Sequence, residues 1–192
     1  AIMVLLKCEA PVTMETDWFT LNEARLHLAP WSEDRFPVAV ASTITPFGMM
    51  AAGRHGIGVL SIGAGIPGGP EMLAKQWNIA EEEAAKHGHT MNRKDWRVVV
   101  NMHCAEDDEQ ALNEVRAGER LETITYFEET LGRPPGRADD PLKDGVKMGT
   151  TLIGSPDKIS EGIEYLLELS KGGFGGMLFR ANEWATREQI LR

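Results

Sequence analysis

Three hydroxyl-bearing residues, Ser42, Thr43 and Thr45, stand close together and are followed by Gly48 and Met49. They fall between a continuous apolar run, residues 37–42, and a stretch with helix signals at both ends. Thr45 is placed to cap that helix and Pro46 to open it. Gly56 is placed to stop it, with Arg54 and His55 complementing the dipole in the last turn. The first N–H groups of a helix lack intrahelical acceptors and carry the positive end of its dipole. Gly48 and Met49 could therefore hold a phosphate, with hydroxyls of Ser42, Thr43 or Thr45 completing its shell. A plainer reading of the same residues is a helix cap and a turn.

Other chemistry is sparser. Residues 63–68, Gly-Ala-Gly-Ile-Pro-Gly, match the G-x-G-x-x-G pattern after a strand. Pro67 and Pro70 change that turn, and the acidic residues 81–83 fall inside a helix instead of at a strand end. Turn chemistry or a glycine-rich loop over a ligand is expected there, not a dinucleotide site. His103 and Cys104 end a strand, at the edge where parallel sheets bind ligands, and either contact substrate or close the core. No nucleophile with a nearby base is evident, and no spacing suggests a metal. The two cysteines, Cys8 and Cys104, make neither a disulfide framework nor a zinc set and read as buried free thiols.

The elements that must position these residues alternate. Strands are expected over 37–42, 58–62, 97–102 and 174–179. Helices are expected from Thr45 to Gly56, from Pro70 to His87, from a capping box at Asp107 and Gln110 to about Leu131, and from Ser155 to Gly172. Asn182 is placed to cap a last helix. Residues 12–14 and 18–21 suggest a hairpin around Glu15, Thr16 and Asp17, residues 29–36 a loop, and residues 132–149 a long loop. The order implies an α/β fold with a parallel sheet, either half of an eight-stranded barrel or part of a doubly wound sheet.

Composition narrows the partners. The 192 residues carry a formal net charge of -9, which argues against nucleic acid or an anionic membrane surface as main partner. No apolar run approaches the roughly 20 residues of a membrane helix, and a cytoplasmic setting is expected. The chain opens on Ala1-Ile2-Met3-Val4-Leu5-Leu6 as though a helix were in progress, so a piece of a longer protein is expected.

The motifs together resemble one family. Residues 39–43 (Ala-Val-Ala-Ser-Thr), 51–56 (Ala-Ala-Gly-Arg-His-Gly) and 58–63 (Gly-Val-Leu-Ser-Ile-Gly) are similar to the middle of luciferase-like flavin-dependent monooxygenases, in particular the limonene monooxygenase-like branch. Residues 154–157 and 172–176 resemble that family's final crossover and last strand. The resemblance implies a (β/α)8 TIM barrel, with 37–42 as strand five and 174–179 as strand eight. Residues 12–28 and 132–154 would be excursions. The whole, 1–192, would be a single domain, the C-terminal half-barrel of a larger protein. The resemblance implies reduced FMN, its phosphate at Ser42 and Thr43, and further at Thr45, Gly48 and Met49. Ser61 and Ile62 would lie near the flavin ring. It also implies oxygen, a small apolar organic substrate and a flavin reductase as donor. The deazaflavin F420 is the alternative cofactor, and a non-catalytic flavin- or phosphate-binding fragment the alternative role. The family's catalytic histidine lies in strands one to four, so no catalytic residue is assigned here. The isolated half-barrel is expected to have little activity and to self-associate as a homo-oligomer.

Overall fold

A computed structural model describes residues 1–31, 36–136, 138–180 and 183–192. By its contacts the chain divides into two units, Ala1–Val38 and Ala39–Arg192. The first contains a short helix, α1 (Ile2–Leu5), and an antiparallel hairpin, β1 (Val12–Glu15) and β2 (Thr20–Ala24). Thr16 shapes the expected turn: its hydroxyl donates to the Phe19 carbonyl and accepts from the Phe19 N–H. The loop expected over 29–36 lies in part outside the described residues.

The second unit runs β3 (Ala39–Ser42), α2 (Phe47–His55), β4 (Gly58–Ser61), α3 (Leu73–Lys86), β5 (Trp96–Cys104), α4 (Asp108–Glu122), α5 (Pro141–Lys147), β6 (Thr151–Gly154), α6 (Pro156–Leu169), β7 (Gly176–Arg180) and α7 (Arg187–Ile190). All the pairings in its sheet are parallel: β3 with β4, β4 with β5, and β5 with both β6 and β7. This is the expected α/β fold with a parallel sheet, carrying one more strand than the sequence predicts.

Burial explains the layering. Along β5, Trp96, Val98 and Val100 are buried while Arg97, Val99 and Asn101 are half-buried, the alternation of a strand with one face on a core. That core joins Met49 and Ala52 of α2, Val59 of β4, Leu73, Trp77 and Ala80 of α3, and Ile159 and Leu166 of α6. At its centre the rings of Trp77 and Trp96 stack 4.6 Å apart at 15°. The Arg93 guanidinium lies over both rings and donates to the carbonyls of Ser170 and Gly173, tying the start of β5 to the end of α6. A second cluster gathers Ala105, Ala111, Val115, Leu142 and Ile153.

Several expectations change. Thr45 does not cap α2: Pro46 occupies that position, no side chain caps the helix, and the Pro46 carbonyl accepts from Met50. Gly56 does end it, with φ 57°. Pro70–Met72 is a 3-10 turn leading into α3. At α4, Asp107 accepts from the Gln110 N–H, but the Gln110 amide turns to Glu114, so the capping box is half made. The helix passes into a π-helix, Thr123–Thr130. The loop expected over 132–149 holds α5, capped by Asp140 with Pro141 in its first turn. Residues 151–154, expected as part of an excursion, form β6 against the far end of β5. Asn182 lies outside the described residues, and α7 opens instead on a complete capping box of Thr186 and Gln189. Both cysteines are free, as expected, but exposed.

Candidate cofactor site

β3 and β4 run parallel in a register that places Ser42 beside Ser61 at their carboxyl ends. Both residues are buried. The Ser61 hydroxyl accepts from the Trp96 indole N–H at 2.8 Å, which locks this strand end to the aromatic stack. The Ser42 hydroxyl faces its neighbour's carbonyl, Thr43 O, at 3.5 Å. The Thr43 carbonyl also accepts from the buried Gln76 amide.

The first turn of α2 sits directly on this strand end. A Cβ on Gly48 would stand 2.8 Å from Ser42 Cβ and Oγ and 2.9 Å from its Cα. No larger residue fits there without moving helix or strand. The close approach fixes the leading N–H groups of α2 over the end of β3, where they have no intrahelical acceptor. The segment from Ser42 to Met50 holds no lysine or arginine, so the positive character there comes from backbone dipoles.

The structure thus brings Ser42, Thr43, Gly48 and Met49 to one corner, with Ser61 alongside. Met49 contributes backbone alone, since its side chain is fully buried in the core. Thr43 is half-buried and Thr45 exposed, leaving their hydroxyls nearer solvent than that of Ser42. Ile62 opens the 3-10 turn Ile62–Gly65 and is 40% exposed. A phosphate fits the helix N–H groups held over this rigid floor. The glycine-rich stretch after β4 folds on itself, with the Ile66 N–H on Gly63 O and the Gly69 N–H on Ile66 O. It does not open a helix as a dinucleotide turn would.

A second polar cluster was not apparent from the sequence. His103, 7% exposed, meets Glu114 of α4 through Nε2 and Oε2 at 2.8 Å. Glu114 also accepts from Arg192 Nη2 on both oxygens, at 2.6 and 2.7 Å, and from the Gln110 amide at 2.8 Å. The Arg192 guanidinium, then the Gln110 amide and His103, hold its carboxyl down to about 2 against the opposing effect of burial. The visible signal was only His103 at a strand end and Gln110 and Glu114 one turn apart on the following helix. Asp108 joins this region to β6 by accepting the Ser155 N–H at 2.7 Å, a bond that lowers its own pKa. Among the described residues no group of three or more acidic, histidine or cysteine side chains could hold a metal ion. No helix there is long and apolar enough to cross a membrane.

The luciferase-like monooxygenase family profile matches residues 2–170. The 4-hydroxyprotoasukamycin monooxygenase of Streptomyces nodosus subsp. asukaensis is 38% identical over 196 residues, covering 98% of this chain and 52% of that protein. The limonene 1,2-monooxygenase of Rhodococcus erythropolis is 43% identical over 182 residues, covering 94% and 46%. Among solved structures, the oxygenating constituent of 3,6-diketocamphane monooxygenase of Pseudomonas putida, in complex with FMN, is 25% identical with a TM-score of 0.63 over 95% of this chain and 55% of that one. An F420-dependent secondary alcohol dehydrogenase shares the fold at 19% identity, with a TM-score of 0.57 over 92% of this chain and 52% of that one. The chain spans about half the length of the relatives it matches, and its parallel α/β sheet is a partial barrel of their type. By the extent of the profile match and these identities, the chain belongs to the luciferase-like monooxygenase family.

Proposed function

We propose that the protein to which this chain belongs is a flavin-dependent monooxygenase using reduced FMN and oxygen on a small apolar organic substrate. The observation that carries the reading is the seating of Gly48 on Ser42, in a chain of this family. The N–H groups of Gly48 and Met49 and the hydroxyls of Thr43 and Thr45 hold the phosphate. Ser42 forms the floor beneath them. Ser61, fixed by Trp96, keeps the neighbouring strand end in place, and Ile62 offers an apolar surface toward the ring. Reduced flavin bound here supplies the electrons that activate oxygen. The residues of this chain bind, orient and exclude water.

A separate cytoplasmic reductase supplies the reduced flavin. Residues 1–192 alone bind the cofactor and self-associate, with little turnover. The second reading, hydride transfer with F420, rests on the fold shared with an F420-dependent dehydrogenase. Oxygen uptake by the whole protein with reduced FMN, against reduced F420 under the same conditions, separates the two. Substrate-stimulated uptake with FMN supports the monooxygenase. Oxygen-independent oxidation of reduced F420 overturns it.

A further inference from the structure

Gln76 is a polar residue, 4% exposed, on the face of α3 that also buries Leu73, Trp77 and Ala80. A buried amide is unfavourable unless its groups are used. Its nitrogen is spent on the Thr43 carbonyl, 33 positions earlier in the chain. A carbonyl can only accept, so the NH2 end of the amide must face it.

The same peptide is closed in by glycine. A Cβ on Gly63 would stand 2.9 Å from the Thr43 carbonyl carbon, 3.1 Å from its oxygen and 3.3 Å from Ile44 N. Gly69 folds back on Gly63, where a Cβ would stand 1.8 Å from the Gly63 carbonyl oxygen. The glycine-rich stretch after β4 thus packs bare backbone against the Thr43–Ile44 peptide.

That peptide is trans and planar, so its C=O and N–H point in opposite directions. With the carbonyl turned in to Gln76, the Ile44 N–H is turned out. It meets no acceptor among the described residues, and Ile44 is 40% exposed. A peptide turned the other way would set a carbonyl oxygen against an anion at the first turn of α2. We propose, resting on the flavin reading of this corner, that Gln76 is a positioning residue for the phosphate: it holds the Thr43 carbonyl inward so that the Ile44 N–H joins those of Gly48 and Met49 as a donor.

FMN and riboflavin, the same ring without the phosphate, are titrated into the folded chain while the backbone amide resonance of Ile44 is followed. The resonance is expected to move downfield with FMN and to stay in place with riboflavin. Gln76→Met keeps the length of the side chain and removes the donor. It is expected to lower the preference for FMN over riboflavin about fivefold, part of the worth of one hydrogen bond to a charged group. A glutamine that only packs would, when replaced, weaken both flavins alike. An Ile44 resonance unmoved at saturating FMN, or an unchanged preference in folded Gln76→Met, would overturn the proposal and leave the cofactor reading standing. Equal affinities for the two flavins in the unaltered chain would overturn both. Should Gln76→Met not fold, the Ile44 resonance of the unaltered chain decides.

Discussion

The carboxyl ends of β3 and β5 are built in opposite ways. At β3 the side chains are already committed. Ser42 is buried beneath Gly48, the Thr43 carbonyl is held by Gln76, and the neighbouring Ser61 hydroxyl is taken by Trp96. What remains to offer a ligand is chiefly backbone N–H, held rigidly. At β5 the side chains carry the charge: a buried histidine, an ionised carboxylate and a guanidinium beside a cavity. A backbone site depends on close packing and a side-chain site on charge, so the two should fail under different perturbations.

Packing should give the largest effects. Trp96→Ala removes half of the aromatic stack and the donor to Ser61, and is expected to cost about 3–5 kcal/mol in denaturant unfolding. A loss well under 1 kcal/mol would mean the stack is not what holds the β4 end. Gly48→Ala is expected to cost about 1–3 kcal/mol, because its Cβ must displace Ser42. It should also weaken FMN binding as the helix lifts from the strand. An unchanged FMN affinity in a folded variant would break the link between this contact and the phosphate.

Charge should matter at β5, and in acid. The Glu114 carboxyl lies near 2 when folded against an ordinary 4.5, so its stabilisation is complete above about 4.5 and is lost as the pH falls toward 2. Glu114→Gln should therefore flatten the dependence of unfolding free energy on pH within that window and leave FMN binding unaffected. An identical acid limb in the variant would show the carboxylate to be unpaired in solution. The smallest effect is expected at Thr45, which is exposed and caps nothing. Thr45→Ala should change stability by no more than about 0.5 kcal/mol, while a several-fold loss of FMN affinity would register its hydroxyl on the phosphate.

The same contrast decides what was legible in the sequence. The corner between β3 and α2 was readable because its devices are local: an apolar run, hydroxyls, a glycine and helix signals within twenty residues. Even there Thr45 misled, since its hydroxyl precedes Pro46 but the chain enters the helix one residue later. The β5 site was not readable, because Arg192 reaches Glu114 across 78 positions and nothing local marks the pair. β6 was missed for a related reason. Four residues carry too little pattern, and the strand exists through its pairing with the far end of β5. The prolines and charges of residues 132–149 made α5 read as loop. At Gly145 the glycine instead lets the helix approach Thr151, whose Oγ1 would stand 2.7 Å from an added Cβ.

The central claim is that the first turn of α2, seated on β3, recognises the phosphate of a flavin. Its most direct test compares FMN with riboflavin, the same ring without the phosphate, by calorimetric titration of this chain. FMN binding at least about tenfold tighter, a difference of 1.4 kcal/mol or more, and lost in Gly48→Ala, is the predicted result. Equal affinities for the two flavins would contradict it.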